Sequence, residues 1–454
     1  MTRRSLAHAL ATALASTSLA TAAAQAPAAE PPPTGEAPSQ RDVTLIVEKG
    51  QAAQLRLAFP ALTAKTPLGA GAREAVADLD RALREDLERS GIFVIQGPAE
   101  LAVAQATGDL TRDFELYRSL GNEVVLLGDV LEEAGRLVLE GRLYDLSSGQ
   151  SILGKRYRGG FELARRMAHS FADEIILYFT GRRGIALTSI AFTSDRSGHK
   201  EVWLMDYDGR NPRPITGHKS ISMAPDWSPA GDAIAYVSFF DGAPGVYYVD
   251  LASGLKRPIV TDGSYNGSPS FSPDGRRIVF SRSVEGNAEI FVANRDGSGL
   301  RRLTHSPGID TNPAWSPDGR QIAFTSSRAG NPHIYSMDVE GTNLRRISFE
   351  GDYNDGAAWS PDGSRLTYAS RRGREFRIVV TDLALLETRV LSRGAGSHES
   401  PVFSPDGRWI AYAATVGGRT QIRVMTADGR DDRLLTADGN NFSPDWSAYP
   451  SGDL

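Results

Sequence analysis

The chain of 454 residues contains no cysteine. No disulfide can staple it and no cysteine can carry a lipid after an export signal, so the fold rests on noncovalent packing alone. Histidine is scarce, with seven residues in all, and no His/carboxylate constellation falls at matched positions, which argues against a metal-dependent lyase. No phosphate loop is present. The nucleophile elbow Gly-x-Ser-x-Gly, required by a peptidase of the prolyl-oligopeptidase type, is also missing. The formal net charge is −5 and no basic stripe stands out, which disfavours nucleic acid as a partner. Beyond the N-terminus no stretch approaches the roughly 20 apolar residues of a membrane-spanning helix. The expectation is a non-enzymatic monomer with no cofactor or metal, touching a membrane only through partners.

The N-terminus reads as an export signal over residues 1–26. Arg3-Arg4 supply the positive start, Leu6 to Ala23 are apolar or small, and Ala24-Gln25-Ala26 fits a small-residue cleavage pattern. Residues 27–40, with Pro31-Pro32-Pro33 inside them, form a Pro-rich linker.

Residues 190 to 446 carry the most specific pattern. An apolar position recurs at Ile190, Ile234, Ile278, Ile322, Leu366 and Ile410, a constant step of 44 (234 − 190). Each unit is marked by an aromatic, Trp227, Phe271, Trp315, Trp359 or Phe403, followed at once by Ser-Pro. Asp-Gly comes next in four units, the exception being Ser228-Pro229-Ala230-Gly231. Asp-Gly supplies the positive backbone angles of a tight hairpin, and the flanking runs alternate as half-buried strands. A fixed period of about 40–45 residues built from short strands is the signature of a β-propeller blade. The first unit lacks its aromatic, because Arg182-Arg183-Gly184 stand where it belongs. The missing piece is Pro444-Asp445-Trp446-Ser447 at the other end, one residue short of register. The pattern therefore predicts an all-β six-bladed propeller over residues 182–454, closed by the C-terminal strand, with the repeat aromatics packed between blades.

Residues 41–181 do not repeat and read as an α/β domain of mixed sheet with two or more helices. Strands are expected at Val43–Val47, Leu55–Phe59, Ile92–Ile95, Val124–Leu131, Leu137–Leu146 and Ser151–Arg158. Val76, Leu79, Leu83 and Leu87 lie on one face of a helix that stops at Gly91. Leu163, Met167, Phe171 and Ile175 line a second helix. On it Arg165, His169 and Asp173 share a face, which predicts an ion-pair cluster at the domain interface rather than a catalytic base.

In a propeller the aromatic-bearing strand is innermost, so the loop entering it reaches one mouth of the central channel. Five residues before each aromatic stand Ser222, Asn266, Asp310, Asn354, His398 and Asn441. Six polar residues in six loops are expected either as simple solvated turns or as the orienting groups of a protein-binding funnel. A polar mouth also suits sugars, so a glycan- or peptidoglycan-binding propeller without enzymatic activity is the alternative.

Three features together resemble the TolB family of periplasmic propeller proteins. They are Arg41-Asp42-Val43-Thr44-Leu45-Ile46-Val47 running on to Phe59-Pro60, the helix Arg165-Arg166-Met167-Ala168-His169 continuing to Thr180-Gly181, and the aromatic-Ser-Pro-Asp-Gly repeats. The resemblance implies a periplasmic adaptor of the Tol-Pal envelope system, acting in outer-membrane integrity and in constriction during cell division. It implies binding of the peptidoglycan-associated lipoprotein Pal at the propeller mouth. It further implies binding of the inner-membrane protein TolA through the N-terminal segment that holds Asp42, Val43 and Leu45. In that family the mature chain starts close to its first strand, whereas here Pro27–Gln40 intervenes.

Overall fold

The computed structural model describes residues 54–102, 107–283 and 286–450. The expected export signal and linker, the expected strand Val43–Val47 and the candidate contacts Asp42, Val43 and Leu45 lie outside the described residues.

The α/β domain runs β1 (Leu55–Ala58), β2 (Thr63–Ala64), α1 (Ala70–Arg89), β3 (Phe93–Gln96), α2 (Pro98–Leu101), α3 (Leu110–Ser119), β4 (Val124–Glu133), β5 (Arg136–Asp145), β6 (Ser151–Gly159) and α4 (Ala164–Thr180). Its sheet has the order β3-β1-β4-β5-β6, with β2 beside β4. The pairings of β1 with β3 and β4 are parallel and the β4-β5-β6 meander is antiparallel, so the sheet is mixed. Helix α1 buries Leu79, Leu83 and Leu87 at helical spacing, and Gly91 (φ +69°) takes the left-handed turn that ends it. Helix α4 buries Met167, Phe171 and Ile175 against the same face of the sheet. Leu163 departs from expectation. It sits in the 3₁₀ turn Phe161–Leu163 ahead of the helix and stays exposed.

Helix α3 carries too weak an apolar stripe to be read from sequence, with only Phe114 and Tyr117 buried among its apolar residues. Polar chemistry starts it. The Asp109 carboxylate accepts from the amides of Thr111 (3.0 Å) and Arg112 (3.4 Å), satisfying donors that the first turn leaves open.

The propeller consists of six four-stranded sheets. Blade one takes its innermost strand, Asn441–Trp446, from the far end of the chain and pairs it with Ser189–Ser194. Trp446 stands opposite Ile190 in the register that Trp227 keeps with Ile234 and Trp315 with Ile322. The one-residue offset falls in the loop before the closing strand. Six steps separate Thr304 from Asp310 (310 − 304), but five separate Thr436 from Asn441 (441 − 436). The repeat aromatics pack between blades: Phe271 joins Val246 and Ile259 of the preceding blade, and Trp315 joins Val279 and Leu303.

The Ser-Pro-Asp-Gly turns are held by their serines. Ser316 Oγ donates to Asp318 (2.6 Å) and accepts from the Gln321 amide (2.8 Å), and Ser360 does the same with Asp362 (2.6 Å) and Arg365 (2.9 Å). Where Ala230 replaces the aspartate, Asp232 accepts from Ser228 Oγ at 2.6 Å instead.

Gly141 on β5 lets α4 close on the sheet, because a Cβ there would stand 2.1 Å from Phe171 Cε1. Gly141→Ala is therefore expected to lower unfolding stability by about 1–3 kcal/mol through overpacking, read as a lower denaturation midpoint at unchanged m-value. An unchanged midpoint would show that Phe171 is not locked on the strand.

A candidate docking surface

The six polar residues counted back from the aromatics begin the innermost strands, as the repeat requires. Their side chains do not line the mouth, and this corrects the sequence reading. Ser222, Asn266, Asp310, Asn354 and Asn441 are fully buried and His398 nearly so. They turn into the blades and hold the entering loops. Asn266 Nδ2 donates to the carbonyls of Asp262 (2.9 Å) and Pro244 (3.2 Å), and Asn354 Nδ2 donates to Glu350 O (2.9 Å). Asn441 Nδ2 donates to Asp438 O (3.0 Å) and Gln421 Oε1 (2.9 Å). Asp310 accepts from Arg328 Nη2 at 2.7 Å, and burial still raises its carboxyl above the ordinary range. Ser222 Oγ lies 3.4 Å from Ser238 Oγ, and the His398 ring packs on Tyr412. Burial lowers the His398 imidazole, with Arg377 adding to the shift.

What lines the channel comes next along each strand. The residue three before every aromatic has positive φ: Ala224 (52°), Ser268 (48°), Asn312 (49°), Gly356 (65°), Ser400 (52°) and Ser443 (46°). Each sits at a shift in strand register, the mark of a β-bulge. A proline follows in five blades, tolerated because a bulge frees it from donating to the ladder. These residues wall a central cavity of about 570 Å³. Asp226 and Asp445 stitch neighbouring blades, accepting from the amides of Phe271 (2.7 Å) and Trp227 (2.6 Å) respectively. Burial pushes both carboxyls up, and Asp445 beside Asp226 adds to the shift of the latter.

Alternation of the strands puts the loops into the innermost strands, and the hairpins between second and third strands, at one end of the ring. The Ser-Pro-Asp-Gly turns lie at the other end, where the α/β domain packs. Arg408, just after Asp406-Gly407, donates to the Ser90 carbonyl, and Tyr207 meets α1. The end away from that domain carries Ile221, Phe240, Tyr265, Ile309, Phe349 and Val416, all exposed, with Phe349 60%, Phe240 57% and Ile309 55% accessible. Three cations in the same loops are paired, Arg282 with Asp262 (2.6 Å), Arg371 with Asp352 (2.9 Å) and Arg372 with Glu350 (2.8 Å). An apolar rim around a concave centre has the composition of a protein-docking surface. The rim was not singled out in the sequence, although each of its members lies within two residues of a loop or hairpin that the repeat places at the mouth.

Known proteins share both domains. A family model described as the TolB beta propeller domain matches residues 177–450, and one for the TolB amino-terminal domain matches residues 43–152. The chain belongs to the TolB family. A Tol-Pal system protein TolB from Geobacter metallireducens is 36% identical over 166 residues, covering 37% of this chain and 39% of that relative. Another from Syntrophotalea carbinolica is 39% identical over 169 residues, 37% of this chain and 38% of the relative. The aligned segment thus spans about two fifths of these curated relatives. The crystal structure of TolB from Acinetobacter baumannii superposes with a TM-score of 0.74 at 27% identity, covering 87% of this chain and 97% of the other.

The buried staples give a test. Asn354→Ala is expected to cost about 1–3 kcal/mol, because the Glu350 carbonyl loses its Asn354 donor and His333 Nδ1 (3.0 Å away) is left with the longer contact to Ser348 Oγ (3.4 Å). Thermal unfolding reads this, and a variant as stable as the parent would return Asn354 to the class of solvated loop residues.

Proposed function

We propose that the protein is a periplasmic adaptor of the Tol-Pal system. It docks a Pal-like lipoprotein on the open propeller mouth and reaches a TolA-like inner-membrane protein through the N-terminal segment that includes Asp42, Val43 and Leu45. In this reading it is a scaffold without catalysis, serving outer-membrane integrity and constriction at division. The observation that carries the docking half is the exposed apolar rim of Phe240, Ile309 and Phe349 at the end that the α/β domain leaves free. Family membership and the names of the relatives support the rest of the reading.

Calorimetric titration of the mature protein with the soluble domain of a Pal-like lipoprotein from the same organism tests it. Saturable one-to-one binding is expected, weakened at least tenfold (about 1.4 kcal/mol) by Phe349→Ala with Phe240→Ala at unchanged melting temperature. No binding between two folded partners would overturn the docking reading. Retention of the protein on peptidoglycan with no lipoprotein present would then favour a glycan-binding propeller.

A further inference from the structure

The contact between the α/β domain and the propeller is built around one cluster of titratable groups. On α4, His169 Nδ1 lies 2.6 Å from Asp86 Oδ2 of α1, and the Tyr207 hydroxyl of blade one donates to the other oxygen of Asp86. The His169 ring meets Tyr207 edge-on at 5.9 Å. One turn earlier on α4, Arg165 pairs with Asp208 of blade one at 2.6 Å, and Arg89 of α1 approaches the same carboxylate at 3.7 Å. One turn later, Asp173 accepts from the amides of Ala186 (3.0 Å) and Leu187 (3.4 Å), in the segment that leads into the propeller. Asp86, His169 and Asp173 are all buried, and a cleft of about 430 Å³ opens beside them between Arg165, His169, Leu187 and Asp206.

We propose that this cluster is a pH-sensitive latch between the two domains, closed in mild acid and loosened as the pH rises through neutrality. The latch is independent of what docks at the mouth. Its chemistry follows from the charges that face each group. His169 is faced by Asp86 from α1, by Arg165 from its own helix and by Asp208 from blade one, with Asp206 also in reach. Burial disfavours its charged form, yet Asp86 and Asp208 together outweigh burial and the imidazole is held above its ordinary value. Asp173 is faced by Asp86 and His169, with Tyr157 of β6 and Tyr449 within electrostatic reach. Burial raises its carboxyl to about 7 despite the two amide donors.

Asp173 binds its proton more tightly while Ala186 and Leu187 are packed over it. For His169 the part that depends on docking is the facing Asp208 of blade one, since Asp86 belongs to its own domain. The sign is therefore the same for each. Their contribution is full below the ordinary values of the free groups, 6.5 for His169 and 3.8 for Asp173, and is lost as the pH rises through the raised ones. For Asp173 that loss is centred near pH 7. Above it, an ionised Asp173 stands near Asp86 in a buried pocket.

Amide hydrogen exchange on the full chain, corrected for the intrinsic effect of pH, reads the latch at Ala186 and Leu187. Protection is expected to fall at least tenfold between pH 6 and pH 8.5, whereas core amides of the propeller keep theirs. Asp173→Asn, which mimics the protonated acid, is expected to stay protected at pH 8.5. Because the chain has no cysteine, Glu115→Cys with Thr342→Cys places two spin labels on exposed sites of the two domains. Their distance distribution should broaden over the same pH range. Equal protection at both pH values in the parent chain, or a distance distribution that ignores pH, overturns the proposal. So does an Asp173→Asn variant that keeps the full pH dependence.

Discussion

The propeller depends on one strand pairing, between Asn441–Trp446 and Ser189–Ser194. Without it the sheet of blade one loses its innermost strand and the blade-six side of the ring faces solvent. The seam is dense. Trp446 Nε1 donates to Thr188 Oγ1 (2.8 Å), the Ser447 amide to Ser189 O (2.9 Å), and Arg196 Nη2 to Asn441 Oδ1 (3.1 Å). Residues so distant in sequence meet at tolerable entropic cost, because each doubling of loop length adds only about 0.6 kcal/mol. With no disulfide available, this seam does the work that a covalent clasp does in smaller exported proteins.

Closure fixes where every other group can be. Once six sheets are wedged together, each innermost strand must turn sharply at the channel, and the repeated bulge with positive φ is that turn. The loop entering each strand must also bury polar backbone near the blade interior. In most blades the residue five before the aromatic meets the demand: Asn266, Asn354 and Asn441 cap loop carbonyls, and Asp310 is matched by Arg328. Polarity at these positions is a property of the fold, and its recurrence follows from the recurrence of the loop.

That is also why the sequence was legible in some places and misleading in others. The period, the blade count and the closing strand are long-range regularities, visible because a repeated shape needs repeated apolar residues. The meander β4-β5-β6 and helix α1 were legible through alternation and through Leu79, Leu83 and Leu87. The interface cluster could be anticipated because Arg165, His169 and Asp173 share a helical face. Helix α3 was missed because Asp109 caps it while few apolar residues mark it. The mouth was misassigned for a different reason. Chain position tells which end of the ring a residue occupies, but the bulge downstream decides which residues face the channel. The mark it leaves in the sequence, a proline two before the aromatic in five blades, was not read as a bulge.

The exposed apolar residues sort themselves by what the fold requires. Phe240, Ile309 and Phe349 belong to no core cluster, and the loops that carry them are held from beneath by buried polar staples. Phe240 packs on the His218 ring (4.7 Å) and Phe349 lies under the Arg346 guanidinium (5.3 Å), contacts at the surface, so core packing does not account for them. Leu255, Leu300, Leu344 and the pair Leu385-Leu386 are exposed too, but they stand near the turns before the outermost strands, each group in a different blade, on the circumference of the opposite end. Residues spaced a blade apart on a convex edge cannot be buried together by one compact partner, and scattered exposed leucines need no special account. The mouth differs because a ring brings its loops together around a concave centre, so one partner can desolvate several of them at once. Geometry rather than hydrophobicity alone therefore singles out the free mouth as the surface where apolar exposure has a use.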